Sequence, residues 1–484
     1  VNETVLRSLS ARRKAIILVS CCLSLLIVSM DATIVNVAIP SIRTDLRASG
    51  SQIQWVVDIY TLVLASLLLL SGAMGDRFGR RRTFQIGLTV FAVASLMCSL
   101  APNIEMLIGA RFLQAIGGSM MNPVAMSIIT QVFRGRVERA RAIGVWGGVV
   151  GISMALGPIV GGALIEFVDW RAVFWINLPI CAVAILLTAI FVPESKSATM
   201  RDLDPIGQVL GMVFLFGIVY VLIEGPGLGW TSARTIAVAA VAAVAFVAFL
   251  RYESRRHDPF IDLRFFRSIP FASATMIAVC AFASWGAFLF MMSLYLQGER
   301  GFSAMHTGLI YLPVAVGALI FSPLSGRLVG RFGSRPSLLV AGTLITAATL
   351  MLARLTAGTP VWQLLTIFAV FGIGFSMVNA PITNAAVSGM PTDRAGAASA
   401  VASTSRQVGV SLGVALCGSI AGAALATTGA DFAAAARPLW FICAGLGVVI
   451  FVLGLYSTSP RAVRSADRLA PLIDPAQWEG VRVR

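Results

Sequence analysis

Four charged residues lie deep inside long apolar stretches of this 484-residue chain: Asp31, Asp58, Arg111 and Arg406. Glu105, Glu166, Asp169 and Glu224 stand only at the edges of such stretches. A charge in hydrocarbon costs at least ~2.5–3.5 kcal/mol, so each embedded one needs a reason. At ~1.5 Å of rise per residue, Asp31, Asp58 and Arg111 all fall roughly 9–12 Å below the outer surface, on three different helices. Two carboxylates and a guanidinium at one depth can form a titratable cluster. Burial raises a carboxyl group's hold on its proton and a nearby guanidinium lowers it, so the balance can be set near neutral pH. The chemistry this suggests is proton binding and release. A permanent Asp–Arg bridge that only orients helices is the competing reading. Arg406, beside Gln407, can instead snorkel to lipid headgroups.

The elements that must position these groups are membrane-spanning helices. Apolar residues make up 57% of the chain and charged residues 12%, roughly half the charge of a soluble domain. Apolar runs of about 20 residues recur along the whole length. Spans are expected near 15–39, 52–74, 83–101, 105–131, 141–165 and 170–192, then 205–224 and 234–250. Six more follow near 269–295, 306–328, 336–355, 361–382, 397–425 and 438–457. The expected fold is an all-α polytopic membrane protein with fourteen transmembrane helices. Residues 1–192 form an N-terminal six-helix half, and 193–268 a connector with two accessory helices lacking buried charge. Residues 269–457 form a C-terminal six-helix half, and 458–484 a disordered basic tail held near anionic lipid.

The net charge of +15 does not point to nucleic acid, because it sits in short juxtamembrane loops. With the N-terminus in the cytosol, 28 of the 37 Lys and Arg fall inside, 7 outside and 2 within spans. That asymmetry places both termini in the cytosol of a multi-pass cell-membrane protein. Arg12, Arg13 and Lys14 before an apolar run could open a signal peptide. The run is too long for one, and is read as a retained first helix. All seven cysteines lie in apolar runs without metal-ligand spacing and read as small buried hydrophobes. His257 and His306 are placed in loops, and neither a metal nor another cofactor is expected.

The outer blocks of six repeat one another. Gly72-Ala73-Met74-Gly75-Asp76-Arg77-Phe78-Gly79-Arg80-Arg81 returns, 254 residues later, as Gly326-Arg327-Leu328-Val329-Gly330-Arg331-Phe332-Gly333-Ser334-Arg335. Ser119-Met120-Met121-Asn122 returns as Ser376-Met377-Val378-Asn379, offset by 257, and Glu138-Arg139-Ala140 as Asp393-Arg394-Ala395, offset by 255. Two parallel six-helix halves are one way secondary transporters are built.

Several of these motifs carry a family resemblance. The Gly72–Arg81 segment resembles the loop between helices two and three of the major facilitator superfamily. Arg111-Phe112-Leu113-Gln114-Ala115-Ile116-Gly117-Gly118 is similar to its fourth-helix motif. Gly151 through Gly162, with Gly157-Pro158 and Gly161, resembles the fifth-helix motif of antiporters. Asp31 through Pro40, Trp55 through Tyr60 and Trp170 through Pro179 resemble the fourteen-helix drug:proton antiporters. The resemblance implies proton coupling at Asp31 or Asp58, with Asp31 better supported by its motif and Arg111 controlling its proton affinity. It also implies a cytoplasmic latch made by Gly72, Gly75, Asp76, Arg77, Gly79, Arg80 and Arg81. Gly330 stands where Asp76 would recur, so such a latch is asymmetric. Ordinary loop charge that sets topology is the plainer account of the same residues. Gly151, Gly157, Pro158, Gly161 and Gly162 would make a bent helix that packs on the other half and seals against proton leak. Small-residue packing explains them equally well on physics alone.

A solute path between halves is expected at Asn36, Tyr60, Trp146, Trp285, Phe288 and Met292, because aromatic and Met side chains suit adaptable apolar recognition. Core or lipid contact is the alternative for any one of them. The combined expectation is a secondary transporter exporting lipophilic drugs or antibiotics against protons. Its partners would be a drug-like small molecule, protons and the bilayer, and it would work as a monomer. Proton-linked uptake of a small organic solute and a non-transporting membrane sensor are the rival readings. No loop carries a catalytic constellation, so no enzyme is expected.

Overall fold

The structure is a computed structural model, described over residues 10–133, 135–196, 204–256, 261–387, 395–422 and 432–473. Among the described residues all regular structure is helical, as hydrocarbon demands of a backbone that must satisfy its own hydrogen bonds. The helices are α1 Ala11–Asp45, α2 Gly50–Phe78, α3 Arg80–Ser99, α4 Ile104–Val132 and α5 Arg136–Phe167. After them come α6 Ala172–Phe191, α7 Pro205–Leu228, α8 Ala233–Glu253, α9 Ile269–Glu299 and α10 Ala304–Phe332. The last are α11 Arg335–Leu352, α12 Val361–Ala386, α13 Ala395–Cys417, α14 Phe432–Tyr456 and α15 Pro460–Ile473. Polar caps punctuate the apolar runs. Ser49 and Gln52 form a reciprocal capping box at α2, with bonds of 3.2 and 2.9 Å, and Asn103 Oδ1 accepts from the Met106 amide at 2.9 Å to start α4.

Twelve helices among the described residues, α1–α4, α6–α12 and α14, are long and apolar enough to cross a membrane. α5 and α13 span 32 and 23 residues, but some of their side chains lie outside the described set. α7 and α8 are the least buried, with 22% of their most apolar stretches inside against 89% for α9. They pack on each other through Phe214 and Phe246, whose rings lie 4.6 Å apart.

The chain divides into two compact units. One joins Val1–Gln208 to Met292–Ala315, and the other joins Val209–Met291 to Val316–Arg484. In the first, α1 runs along α5 while α2 and α3 both pack on α4. A methyl group at Gly117 of α4 would sit 2.5 Å from the Phe91 amide of α3, so only glycine allows this approach. In the second, α11 packs on α12 and α14, and Gly374 of α12 meets Ile345 of α11 in the same way, at 3.1 Å. The offset of 257 is that of the sequence repeat. The repeated connectors also share geometry, since Gly79 and Gly333, 254 apart, turn at φ of 115° and 75°.

Several expectations need correction. The segment read as a Gly72–Arg82 loop is helical through Phe78 and again from Arg80. Positive φ lets Gly79 make the turn alone. α5 runs unbroken through Pro158. The tail after residue 458 begins as an ordered amphipathic helix, α15, in which Ala462 and Ala466 are buried. There the Ser465 hydroxyl accepts from the Ile269 amide at 2.9 Å. His306 lies in the first turn of α10 rather than in a loop. α8 extends three residues beyond its expected end to Glu253, which is buried and whose carboxylate accepts from the Ile261 amide at 3.0 Å.

A tie absent from the sequence reading fastens α6 to α3. The Glu194 carboxylate accepts from the backbone amides of Arg81 and Arg82 at 3.2 Å each and of Ser195 at 3.0 Å. The Arg80 amide donates to the Ser195 carbonyl at 2.9 Å. A carboxylate at a helix N-terminus satisfies orphan donors and complements the helix dipole. Glu194→Ala is expected to cost about 1–2 kcal/mol and lower the thermal unfolding midpoint in lipid nanodiscs. Glu194→Gln should fall between the two. An unchanged midpoint in both variants would show that the cap contributes nothing.

Candidate functional site

Asp31 and Arg111 meet inside the first unit as a fully buried ion pair, with side-chain exposures of 0% and 1%. Arg111 Nη1 donates to Asp31 Oδ2 and also to Gln114 Oε1 at 2.7 Å, while its Nε donates to the Val56 carbonyl at 3.2 Å. The guanidinium lies over the Tyr60 ring at 4.1 Å, with Phe174 at 5.8 Å. The other carboxylate oxygen, Asp31 Oδ1, accepts from Gln114 Nε2 at 2.9 Å and Asn177 Nδ2 at 3.0 Å. Both amides reach Ser95 Oγ, at 2.8 and 3.3 Å. Five helices, α1, α2, α3, α4 and α6, therefore supply one polar network. Pairing cancels the charge, and the amides and aromatic faces replace water.

Asp58 is also buried. It stands two residues from Tyr60, about 200° around a helix of 3.6 residues per turn. The face of α2 that meets the guanidinium is therefore Tyr60's.

At the start of α3, Arg80 Nη2 bonds Asp76 Oδ1 of α2 at 2.7 Å across the Gly79 turn. The Arg77 guanidinium lies 5.9 Å from its neighbour's ring, Phe78. Gly75 packs on Val124, Gly72 faces Pro123, and a methyl at Gly79 would strike the Glu194 carboxylate at 2.6 Å. Arg81 enters through its backbone amide. On α5, Gly157 and Gly161 press on Thr33 and Ile34 of α1. Gly162 and Gly308 make a reciprocal crossing of α5 with α10. A methyl at Gly162 would lie 2.4 Å from the Ala304 carbonyl, and one at Gly308 would lie 2.5 Å from the Pro158 carbonyl. The surroundings of Gly151 lie outside the described residues.

Residues 21–414 match the Major Facilitator Superfamily. The chain belongs to the Major Facilitator Superfamily. It is 35% identical over 417 residues to the multidrug resistance protein Stp of Mycobacterium tuberculosis (strain CDC 1551 / Oshkosh), covering 86% of this chain and 78% of that one. It is 35% identical over 404 residues to the tetracenomycin C resistance and export protein of Streptomyces glaucescens, covering 83% and 74%. The fold resembles the crystal structure of a POT family transporter in complex with 5-aminolevulinic acid. That match has a TM-score of 0.69 at 14% identity, covering 93% of this chain and 97% of that one. The protein is therefore a superfamily transporter and not an enzyme.

Of the residues expected to line a solute path, Asn36, Tyr60, Trp146 and Met292 belong to the first unit and Trp285 and Phe288 to the second. Tyr60 belongs to the charged network, and its hydroxyl donates to the Val28 carbonyl at 3.3 Å. Asn36 spends its amide on the Ala32 and Thr33 carbonyls of its own helix. Trp146 is half-buried on α5, and Met292 is fully buried. Trp285 and Phe288 come together in the second unit. Trp285 stacks on Phe375 at 4.5 Å and Phe288 on Phe371 at 4.2 Å, making an aromatic column between α9 and α12. A cavity of about 370 Å³ in the first unit lies elsewhere, between Met74, Phe78, Ile86, Met120 and the cations Arg82 and Lys196.

Gln114, Asn177 and Ser95 complete the site, although sequence reasoning does not single them out. Their signal was present: Gln114 and Asn177 are amides inside apolar spans, each within a quoted motif. Removing one member of a buried ion pair leaves an uncompensated charge, at a cost of about 3–5 kcal/mol. Asp31→Leu and Arg111→Leu are each expected to destabilise the protein by about that much, and the double variant to regain most of the loss. Thermal unfolding in nanodiscs measures this. Additive losses would show that the two charges do not depend on each other.

Proposed function

We propose that this transporter exports lipophilic drug-like or antibiotic molecules in exchange for protons, with Asp31 as the proton carrier. The observation that carries this reading is the fully buried Asp31–Arg111 pair. Ionised, Asp31 is held by Arg111, Gln114 and Asn177. On taking a proton from the outer side it loses its charge and its grip on the guanidinium. Arg111 keeps Gln114, the Val56 carbonyl and the Tyr60 face. A site with two such states can bias the helices that hold it, which is what coupling a proton to a conformational change requires. Stp is named for multidrug resistance and the tetracenomycin C protein for resistance and export. These names support the direction of transport and the class of solute.

The reading includes fourteen crossings, since 32 and 23 residues give α5 and α13 enough length at ~1.5 Å per residue. The excess of Lys and Arg on one side supports both termini in the cytosol. The Asp76–Arg80 pair and the Gly79 turn serve as the cytoplasmic latch. The Gly162–Gly308 crossing serves as the seal. The aromatic column at Trp285 and Phe288 offers planar faces to an apolar solute.

Everted membrane vesicles with an acidified lumen test the proposal. Adding ethidium or a planar antibiotic is expected to alkalinise the lumen, and Asp31→Asn to reduce that response at least tenfold. Substrate accumulation that proceeds undiminished in Asp31→Asn would overturn the coupling role. A lumen that acidifies further on adding solute would overturn antiport.

A further inference from the structure

Resting on that reading of Asp31, we infer that Asn177 is a positioning residue whose side-chain amide turns over when Asp31 takes up its proton. The two amides on Asp31 look equivalent but differ at their far ends. Gln114 is locked. Its Oε1 receives Arg111 Nη1 at 2.7 Å and Cys98 Sγ at 3.8 Å, and its Nε2 serves Asp31 and Ser95. Turning it over would aim an NH2 group at a guanidinium. Asn177 is not locked. It is fully buried, its Nδ2 serves Asp31 and Ser95, and its Oδ1 has no hydrogen-bond partner among the described residues. An unpaired buried carbonyl is unfavourable, so its retention here needs a cause.

The cause lies in what a carboxyl group can accept. An ionised Asp31 is an acceptor only, and its Oδ1 takes both amide donors. Once an O–H bond forms at Oδ1, that oxygen can accept one bond and must donate another. Gln114 keeps the accepted bond because it cannot turn. The new proton then needs an acceptor on the Asn177 side. Rotating that amide by half a turn puts Oδ1 where Nδ2 stood, with almost no change in shape. The Ser95 hydroxyl, which accepts from both amides in the ionised state, rotates to donate to the turned Asn177. The acceptor left empty in one protonation state is thus filled in the other, and the unpaired position passes to the turned Nδ2. Among the described residues, the titratable groups facing Asp31 are Arg111 from α4, Tyr60 from α2, Cys98 from α3 and Cys181 from α6. α5 meets α1 here through Gly157 and Gly161.

Infrared difference spectra of the lipid-reconstituted protein, with asparagine side chains carbon-13 labelled, test this directly on the unmutated chain. On acidification a carboxyl band should appear and an asparagine carbonyl band should move to lower wavenumber with the same midpoint. The asparagine signal should vanish in Asn177→Leu. Proton-coupled efflux should fall about tenfold in Asn177→Leu and recover in Asn177→Ser, whose hydroxyl can donate or accept by rotation. A carboxyl band that titrates while every asparagine band stays still overturns the Asn177 inference and leaves the proton site standing. The absence of any titrating carboxyl removes the proton-carrier reading itself, and the inference with it.

Discussion

A single buried ion pair constrains the first helical unit. In hydrocarbon neither Asp31 nor Arg111 can fall back on water, so each is tolerable only in contact with the other. Their remaining valences are then taken by groups from α2, α3, α4 and α6. Sliding any of these helices by one turn would move its contribution by ~5.4 Å and strand a charge or an amide. The pair therefore sets the register of five helices at once. It also makes the unit sensitive to one proton, because removing the charge on Asp31 changes what every neighbour must do.

Close packing supplies what the hydrophobic effect cannot supply between helices in lipid. The α3–α4 and α11–α12 crossings rest on glycines at the repeated positions 117 and 374, where a side chain would strike backbone. The α5–α10 crossing uses Gly162 and Gly308 in the same way. Yet the units differ in what they bury. The first holds a charged network. The second holds the aromatic column of Trp285, Phe288, Phe371 and Phe375. A duplicated scaffold thus carries two kinds of interior, which fits a division between a proposed proton site and apolar solute contact.

Much of the fold was legible because the bilayer imposes a length on apolar runs. Expected and observed helix ends differ by a few residues, and the repeat offsets return as matched turns and crossings. Asp31 and Arg111 were legible because an embedded charge is expensive and therefore conspicuous. Gln114, Asn177 and Ser95 were not, since an uncharged polar residue costs less and stands out less among the many Ser, Thr and Asn of apolar helices. The Glu194 cap was hidden for another reason: it joins residues more than 110 positions apart and reads locally as connector charge.

The sequence by itself determined the medium, the helical class and the repeat, all of which follow from composition and from distance along the chain. Only the tertiary structure decided which charges meet. Depth is a coordinate along the helix axis, whereas contact also depends on rotation about it, and that rotation is set by neighbouring helices. On α2 it is the Tyr60 ring that lies under the Arg111 guanidinium. Of the three embedded charges expected to form one cluster, Asp31 and Arg111 meet as a buried ion pair. The partners that complete the pair came from helices whose facing the one-dimensional pattern could not specify.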